Sequence, residues 1–89
     1  MPTVSIPPPY QGPTQGIARV EVDGETVEAC LRGVGDLYPG LIEMVIDGSG
    51  AVHRFVKLFV NGEEIDRAAL DTPVAPGDEV EILAAVAGG

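Results

Sequence analysis

Three stretches of the chain alternate apolar and polar residues with the period of two that belongs to a half-buried β-strand. Val4 and Ile6 alternate with Thr3 and Ser5 until Pro7-Pro8-Pro9, which cannot donate to a ladder, ends the pattern. Ala18, Val20 and Val22 alternate with Arg19, Glu21 and Asp23 before Asp23-Gly24 turns the chain. A loop rich in Pro, Gly and Gln separates these two strands, so they are expected to form a hairpin with a long connection. Late in the chain, Pro76-Gly77-Asp78 leads into Val80 and Ile82, alternating with Glu79 and Glu81. A fourth stretch, Phe55 to Val60, is nearly all apolar and β-rich, and Asn61-Gly62 closes it with a tight-turn signal. A brief extended piece follows around Ile65.

From Thr26 the period changes. Val27, Cys30, Leu31, Val34, Leu37 and Tyr38 recur at helical spacing, with Glu25, Glu28, Arg32 and Asp36 on the other faces. Thr26 suits an N-cap, and Glu28 suits the positive end of the helix dipole. Gly33 and Gly35 each cost a helix interior about 1 kcal/mol relative to Ala, so packing must offset them or a neighbour must approach closely there. Pro39-Gly40 is expected to end the helix. Leu41 to Ile46 is apolar but too short for its period to type it, and Asp47-Gly48-Ser49-Gly50 is a turn. The order is strand, strand, helix, then several strands. That is an α+β architecture, one helix packed on a mostly antiparallel sheet.

Composition narrows the function classes. The chain has 89 residues, enough for one modest core and no second domain. Hydrophobic residues make up 45% but aromatics only 4%, so the core must be aliphatic. A net charge of −9 repels polyanions, which argues against nucleic acid and anionic membrane surfaces as partners. One cysteine makes no intramolecular disulfide and holds no iron–sulfur cluster, and one histidine leaves no multi-histidine metal site. No apolar run approaches the roughly 20 residues of a membrane helix, and no secretory pattern opens the chain. The expectation is a reduced, cytoplasmic protein with no metal and no bound cofactor. Most of the twelve glycines and eight prolines cluster between the periodic segments, so they are assigned to turns rather than to disorder.

The sequence closes on Gly88-Gly89. A terminal glycine carboxylate is the least hindered a chain can offer, and a side-chain-free backbone threads a narrow channel. Ordering such a tail costs roughly 1–2 kcal/mol per residue, so it contributes little stability but suits delivery of a carboxylate into another protein's active site. Taken alone, a double glycine at a frayed end reads first as an ordinary tail.

The context of that ending is more specific. Pro76-Gly77-Asp78-Glu79-Val80-Glu81-Ile82-Leu83, followed by Ala84-Ala85-Val86-Ala87-Gly88-Gly89, resembles the C-terminus of the ubiquitin-like sulfur carriers. Val56-Lys57-Leu58-Phe59-Val60-Asn61-Gly62-Glu63 is similar to their central strand and the turn after it. Val4-Ser5-Ile6-Pro7, His53-Arg54-Phe55-Val56 and the Val-Ala-Gly-Gly end bring the chain nearest to the carriers of cysteine biosynthesis. The resemblance covers nearly the whole chain, with one departure: Ala84 stands where relatives often have proline.

This resemblance implies a β-grasp, ubiquitin-like domain over residues 1–83, a mixed sheet packed on one main helix, with a flexible tail at 84–89. It implies that a ubiquitin-activating-like enzyme uses ATP to adenylate the Gly89 carboxylate, and that a sulfur nucleophile then converts it to a thiocarboxylate. The sulfur acceptor it implies is a pyridoxal-phosphate-dependent cysteine synthase carrying a serine-derived aminoacrylate, after which a metalloprotease releases the product from the tail. Thiosugar, molybdopterin and tRNA thiolation are the other acceptor routes. The chain is then a protein cosubstrate rather than an enzyme, with Val86, Ala87 and Gly88 as the stretch a partner grips. A ubiquitin-like modifier joined to lysines through Gly89 shares the same activated intermediate, and a passive binding module is the third reading.

Strand parity adds a docking surface independently. If Val80 and Ile82 face the core, Glu79, Glu81 and Leu83 face out, and Lys57 places Phe55 and Phe59 on the same open side. Phe59, Leu83 and Val86 are expected to form a small apolar patch, and the acidic surface to steer the carrier towards a basic groove. Other signals are weaker. Pro7-Pro8-Pro9-Tyr10 matches a polyproline-tyrosine ligand but suits a strand terminator better. Cys30 lies on the apolar helix stripe as packing. His53 with Ser49 or Asp47 lacks a nucleophile elbow, and His53-Arg54 reads as a solvated strand start.

Overall fold

A computed structural model of the chain describes residues 1–84, so the expectations placed on Val86, Ala87, Gly88 and Gly89 lie outside the described residues. Five strands form one sheet: β1 (Thr3–Ser5), β2 (Arg19–Glu21), β3 (Val56–Val60), β4 (Glu63–Ile65) and β5 (Glu79–Ala84), in the order β2-β1-β5-β3-β4. β1 and β2 make the expected antiparallel hairpin, with Val4 opposite Val20. β1 and β5 run parallel at the centre of the sheet, while β3 is antiparallel to both β5 and β4. A parallel pair needs a crossover rather than a hairpin, and here the intervening chain carries the helices and the β3–β4 hairpin. The mixed sheet with helices on one face is the β-grasp arrangement.

One face of the sheet is buried by parity. Val4, Val20, Val56, Leu58, Val80 and Ile82 are buried, and Val27, Cys30, Leu31 and Val34 of α1 (Val27–Leu37) belong to the same core with Leu41 and Val45 of α2 (Pro39–Val45). The core is aliphatic, as the composition requires. A side chain such as Leu58, 0% exposed, contributes roughly 1.5–3 kcal/mol relative to its exposed state. α1 starts where expected, because the Thr26 hydroxyl accepts from the Ala29 amide at 3.1 Å.

One expectation is corrected. Pro39-Gly40 ends the first helix but also opens a second, so the sheet carries two helices rather than one, and the untyped stretch from Leu41 belongs to α2. Tyr38, at φ −135° and ψ 79°, breaks the helical path between them. Proline is well suited to a first helical position because its missing N–H has no intrahelical acceptor there. The two costly glycines of α1 are explained by close approach. A Cβ on Gly33 would stand 3.2 Å from Val22 Cβ, and one on Gly35 would stand 2.8 Å from Ile42 Cβ. Asn61 (φ 51°) and Gly62 (φ 86°) supply the two positive φ angles of a type I′ turn between β3 and β4.

Candidate functional site

The face of the sheet opposite the helices is built by the alternate residues of the same strands. Its central row runs Arg19, Ser5, Glu81, Phe59, Glu64 across all five strands, and Leu83 lies opposite Lys57 in the next row. Val80 and Ile82 are 0% and 1% exposed, while Glu79, Glu81 and Leu83 are half-buried on the open side, as their parity predicts. Phe59 is half-buried between its cross-strand partners Glu81 and Glu64, and Lys57 and Phe55 are exposed. Phe59 and Leu83 are diagonal neighbours on adjacent strands, a separation of about 7–8 Å between backbones that side chains of this size span. The register therefore puts two of the three residues of the expected apolar patch on one face of adjacent strands; Val86 lies outside the described residues.

The position of this face relative to the end of the chain is set by β5. Ala84, assigned from the sequence to the tail, is still part of the strand and pairs with Val56. Leu83 is thus one residue from the last described position, on the open face. The start of β5 is clasped from the side. The Asn61 side-chain amide donates to Asp78 Oδ1 at 2.9 Å, the Glu79 amide donates to Asn61 Oδ1 at 2.9 Å, and the Ala75 amide donates to Asp78 Oδ2 at 2.7 Å. The Ala75 N–H and the Asn61 amide hold the Asp78 carboxyl below the ordinary aspartate range, since both favour its charged form. This clasp fixes the register of β5, and with it the side on which Leu83 emerges. Tight-turn chemistry flagged Asn61 and Asp78 separately in the sequence; their pairing, 17 residues apart, is visible only in the fold.

Two ion pairs form among the described residues, one on the open face and one on α1. Arg19 reaches across β1 to Glu79 at 2.7 Å, and Arg32 pairs with Glu28 on α1 at 2.9 Å. Both are solvent-exposed pairs, each worth at most about 1 kcal/mol.

The weaker motifs resolve as structural. Asp47 Oδ1 accepts from the Ser49 amide at 2.8 Å, the Ser49 hydroxyl at 2.6 Å and the Ala51 amide at 3.2 Å, so both residues close a turn rather than serve His53. These bonds, led by the one from the Ser49 hydroxyl, lower the Asp47 carboxyl. Pro8–Tyr10 forms a single 3₁₀ turn, and Tyr10 packs against the core instead of standing free as a ligand. Cys30 is fully buried, and burial pushes its thiol above the ordinary range, away from the thiolate that sulfur chemistry needs. Among the described residues no cluster of three or more His, Cys, Asp or Glu could hold a metal, and no helix is long and apolar enough to cross a membrane.

Comparison with known proteins agrees with this architecture. The sulfur carrier protein CysO of Mycobacterium tuberculosis is 41% identical over 90 residues, covering 98% of this chain and 97% of CysO. The crystal structure of M. tuberculosis CysO superposes with a TM-score of 0.87 at 38% identity, covering 97% of this chain and 100% of that one. A chain of the Amycolatopsis orientalis BexX/CysO complex gives a TM-score of 0.87 at 34% identity with 100% of both chains covered. SAMP1 of Haloferax volcanii gives 0.80 at 26% identity, covering 99% of this chain and 98% of SAMP1. The ThiS family model matches residues 10–89, a span that includes the β3 row, all of β5 and the closing Gly88-Gly89. The chain belongs to the ThiS family.

Proposed function

We propose that this chain is a sulfur carrier whose reactive group is the Gly89 carboxylate. The observation that carries the reading is the family match, which spans residues 10–89 and so includes β5 and Gly89, joined to an open sheet face that carries Leu83 a few residues before it. The full-length similarity to CysO, named a sulfur carrier protein, supports the same conclusion.

A carboxylate is a poor acyl donor, so the first step is activation by a partner. A Gly89 carboxylate oxygen attacks the α-phosphorus of ATP, pyrophosphate leaves, and the acyl-adenylate so formed carries a good leaving group. A hydrosulfide-level nucleophile then attacks the carbonyl carbon; the C–O bond to AMP breaks, and a thiocarboxylate remains. Its sulfur is the softer and stronger nucleophile, and it adds to an electrophilic carbon of an acceptor. In the cysteine route that carbon belongs to a serine-derived aminoacrylate on a pyridoxal-phosphate enzyme, and hydrolysis by a metalloprotease returns the free Gly89 carboxylate. ATP is consumed by the partner, and this chain supplies the acyl group and the surface by which it is held. Phe59 and Leu83 form the apolar part of that surface, and Val86, Ala87 and Gly88 thread the partner's channel. The acidic surface, with a net charge of −9, accelerates encounter with a basic groove and makes the on-rate fall with salt. The reactions place the protein in the cytoplasm, where free thiols and ATP coexist.

Intact-mass analysis of the protein from its native host tests the chemistry. A fraction heavier by the difference between sulfur and oxygen, mapped to the last peptide, is the expected result. Deleting Gly89, or adding Ala after it, should abolish ATP-dependent activation and leave the melting curve unchanged. Variants that still accept sulfur would refute the mechanism. A second reading is favoured by the likeness to SAMP1, a small archaeal modifier protein: Gly89 joined to lysines of target proteins. A ladder of conjugates on an immunoblot of cell extract supports the modifier, and a single free band supports the carrier.

A further inference from the structure

The chain has five basic residues against fourteen acidic ones. Two of the five are neutralised locally, Arg19 by Glu79 and Arg32 by Glu28. The other three, Arg54, Lys57 and Arg67, all line one cleft of about 270 Å³ and make no ion pair among the described residues. They are brought together by the fold rather than by sequence proximity. Arg54 precedes β3, Lys57 lies within it on the open face, and Arg67 follows β4, which the Asn61-Gly62 turn folds back alongside β3. Glu64 and Asp66 also line the cleft, which leaves it an excess of one positive charge, while twelve of the fourteen carboxylates lie elsewhere.

Two further observations give the cluster a place and a geometry. Val56, which also lines the cleft, is the strand partner of Ala84, and Lys57 is the partner of Leu83. Lys57 therefore stands beside Leu83 on the same face as Phe59, and Arg54 and Arg67 share its cleft on the β4 side of β3. Arg54 holds its guanidinium 4.9 Å from the centre of the exposed Phe55 ring. A guanidinium held over an aromatic ring keeps its N–H donors available, and an arginine can take a carboxylate by two parallel bonds.

From this we infer that the Arg54–Lys57–Arg67 cleft receives carboxylate side chains of the activating partner, as a keyed acidic contact within an otherwise basic docking groove. The inference rests on the carrier reading above. A groove that was basic throughout would place like charges against three cations that have no ion-pair partner among the described residues, and such juxtaposition is what excludes wrong orientations at an interface. The cleft is below the usual size of small-molecule sites, but it accommodates one or two acidic side chains. The carrier is then electrically polarised. Its acidic surface brings it to the partner, and the basic cleft fixes which way round it sits, so that β5 points its end into the catalytic channel.

The test is ATP–pyrophosphate exchange by the activating enzyme of the same organism, with the full-length carrier as the varied substrate. The triple variant Arg54→Gln, Lys57→Gln, Arg67→Gln should raise KM for the carrier at least about tenfold while leaving kcat unchanged. A control that adds the same negative charge elsewhere, Ala18→Glu, Leu37→Glu and Ala51→Glu, should move KM by less than about threefold. Equal effects of the two triples, or no effect of the first, would overturn the inference and leave the carrier reading standing. Absence of exchange with the unaltered chain overturns both. Two other occupants give distinct results: saturable amide shifts at the cleft on adding inorganic phosphate assign it to a small anion, and a dimer in sedimentation that the first triple abolishes assigns it to a second copy. Either would refute the partner contact.

Discussion

Replacing Gly35 by Ala should destabilise this protein, although the same change in an ordinary helix interior stabilises by about 1 kcal/mol. Gly35 is buried near the end of α1, where α2 folds back across it. A Cβ there would lie 2.8 Å from Ile42 Cβ, 3.1 Å from Cγ1 and 3.3 Å from Cγ2. The nearest atom is the branch point of a β-branched residue, which cannot swing aside without moving the backbone of α2. Forced overpacking of this kind costs about 1–3 kcal/mol, and the branched obstacle places it in the upper half of that range. After the helix-propensity gain, a net loss of about 1–2 kcal/mol remains. In a domain of this size that lowers Tm by roughly 5–15 °C in a calorimetric scan. The cause is specific to one contact, so Ile42→Ala in the Gly35→Ala background should cost less than it does alone. The coupling expected in the double-mutant cycle is at least about 1 kcal/mol. A Gly35→Ala variant that melts at or above the parent temperature would refute the account of why α1 tolerates glycine at this position.

Leu83→Asp should raise KM for the carrier in the activation assay about tenfold with kcat unchanged, because an apolar contact beside the tail becomes a charge; an unaltered KM would remove the open face from the docking surface. Asp78 has a folded-state pKa held below its unfolded value of about 3.9, so its contribution to stability is present above that value and lost as pH falls through the folded one. Chemical denaturation between about pH 2 and 5 should accordingly show a shallower acid limb for Asp78→Asn than for the parent, and parallel limbs would contradict the clasp. Cys30, buried and with its thiol pushed up, should react with a maleimide only as fast as the domain opens, with full reactivity restored in denaturant; rapid labelling of the folded protein would show that α1 is not packed as described.

The parts of the fold that were legible in the sequence are those where one face is buried and the other is wet. Val80 and Ile82 against Glu79 and Glu81 determine the face of β5, and hence that of Leu83, without reference to any other strand. Thr26 and Asn61-Gly62 were legible for a different reason, since capping and type I′ turns are local chemistry carried by a few atoms. α2 was not legible, because seven residues span two helical turns and a period cannot be counted over so few. Pro39-Gly40 also carries the same signal whether a chain stops a helix or begins one. The parallel pairing of β1 with β5 joins residues more than seventy positions apart, as with Val4 and Val80, and no periodicity encodes it; the family resemblance implied a mixed sheet without saying which strands run parallel. The basic cleft was hidden for the same reason. Residues 54, 57 and 67 become neighbours only when the β3–β4 turn closes.

The same parity argument explains how so small a domain could carry the proposed docking surface at little cost to its stability. Every residue of the core row of β5 is matched by one on the other face that the core does not need: Val80 by Glu79, and Ile82 by Glu81 and Leu83. Substitution of the outward set leaves the aliphatic core untouched, so partner specificity can change while the scaffold stays the same. What must stay fixed is register, because a slip of one residue would turn Val80 and Ile82 to solvent and bury Glu79 and Glu81. Two devices on this chain oppose that slip. β5 is bonded on both sides, to β1 and to β3, and its first residue is held by Asn61 through both main-chain groups, the Glu79 amide donating to Oδ1 and the Glu79 carbonyl accepting from the Asn61 amide at 2.9 Å. The clasp lies at the end of β5 remote from Ala84, so it fixes the strand without occupying the surface around Leu83. The turn that closes the clasp also folds β4 back beside β3 and carries Arg67 to Arg54 and Lys57. One short hairpin therefore sets both the register of the outgoing strand and the charge beside it.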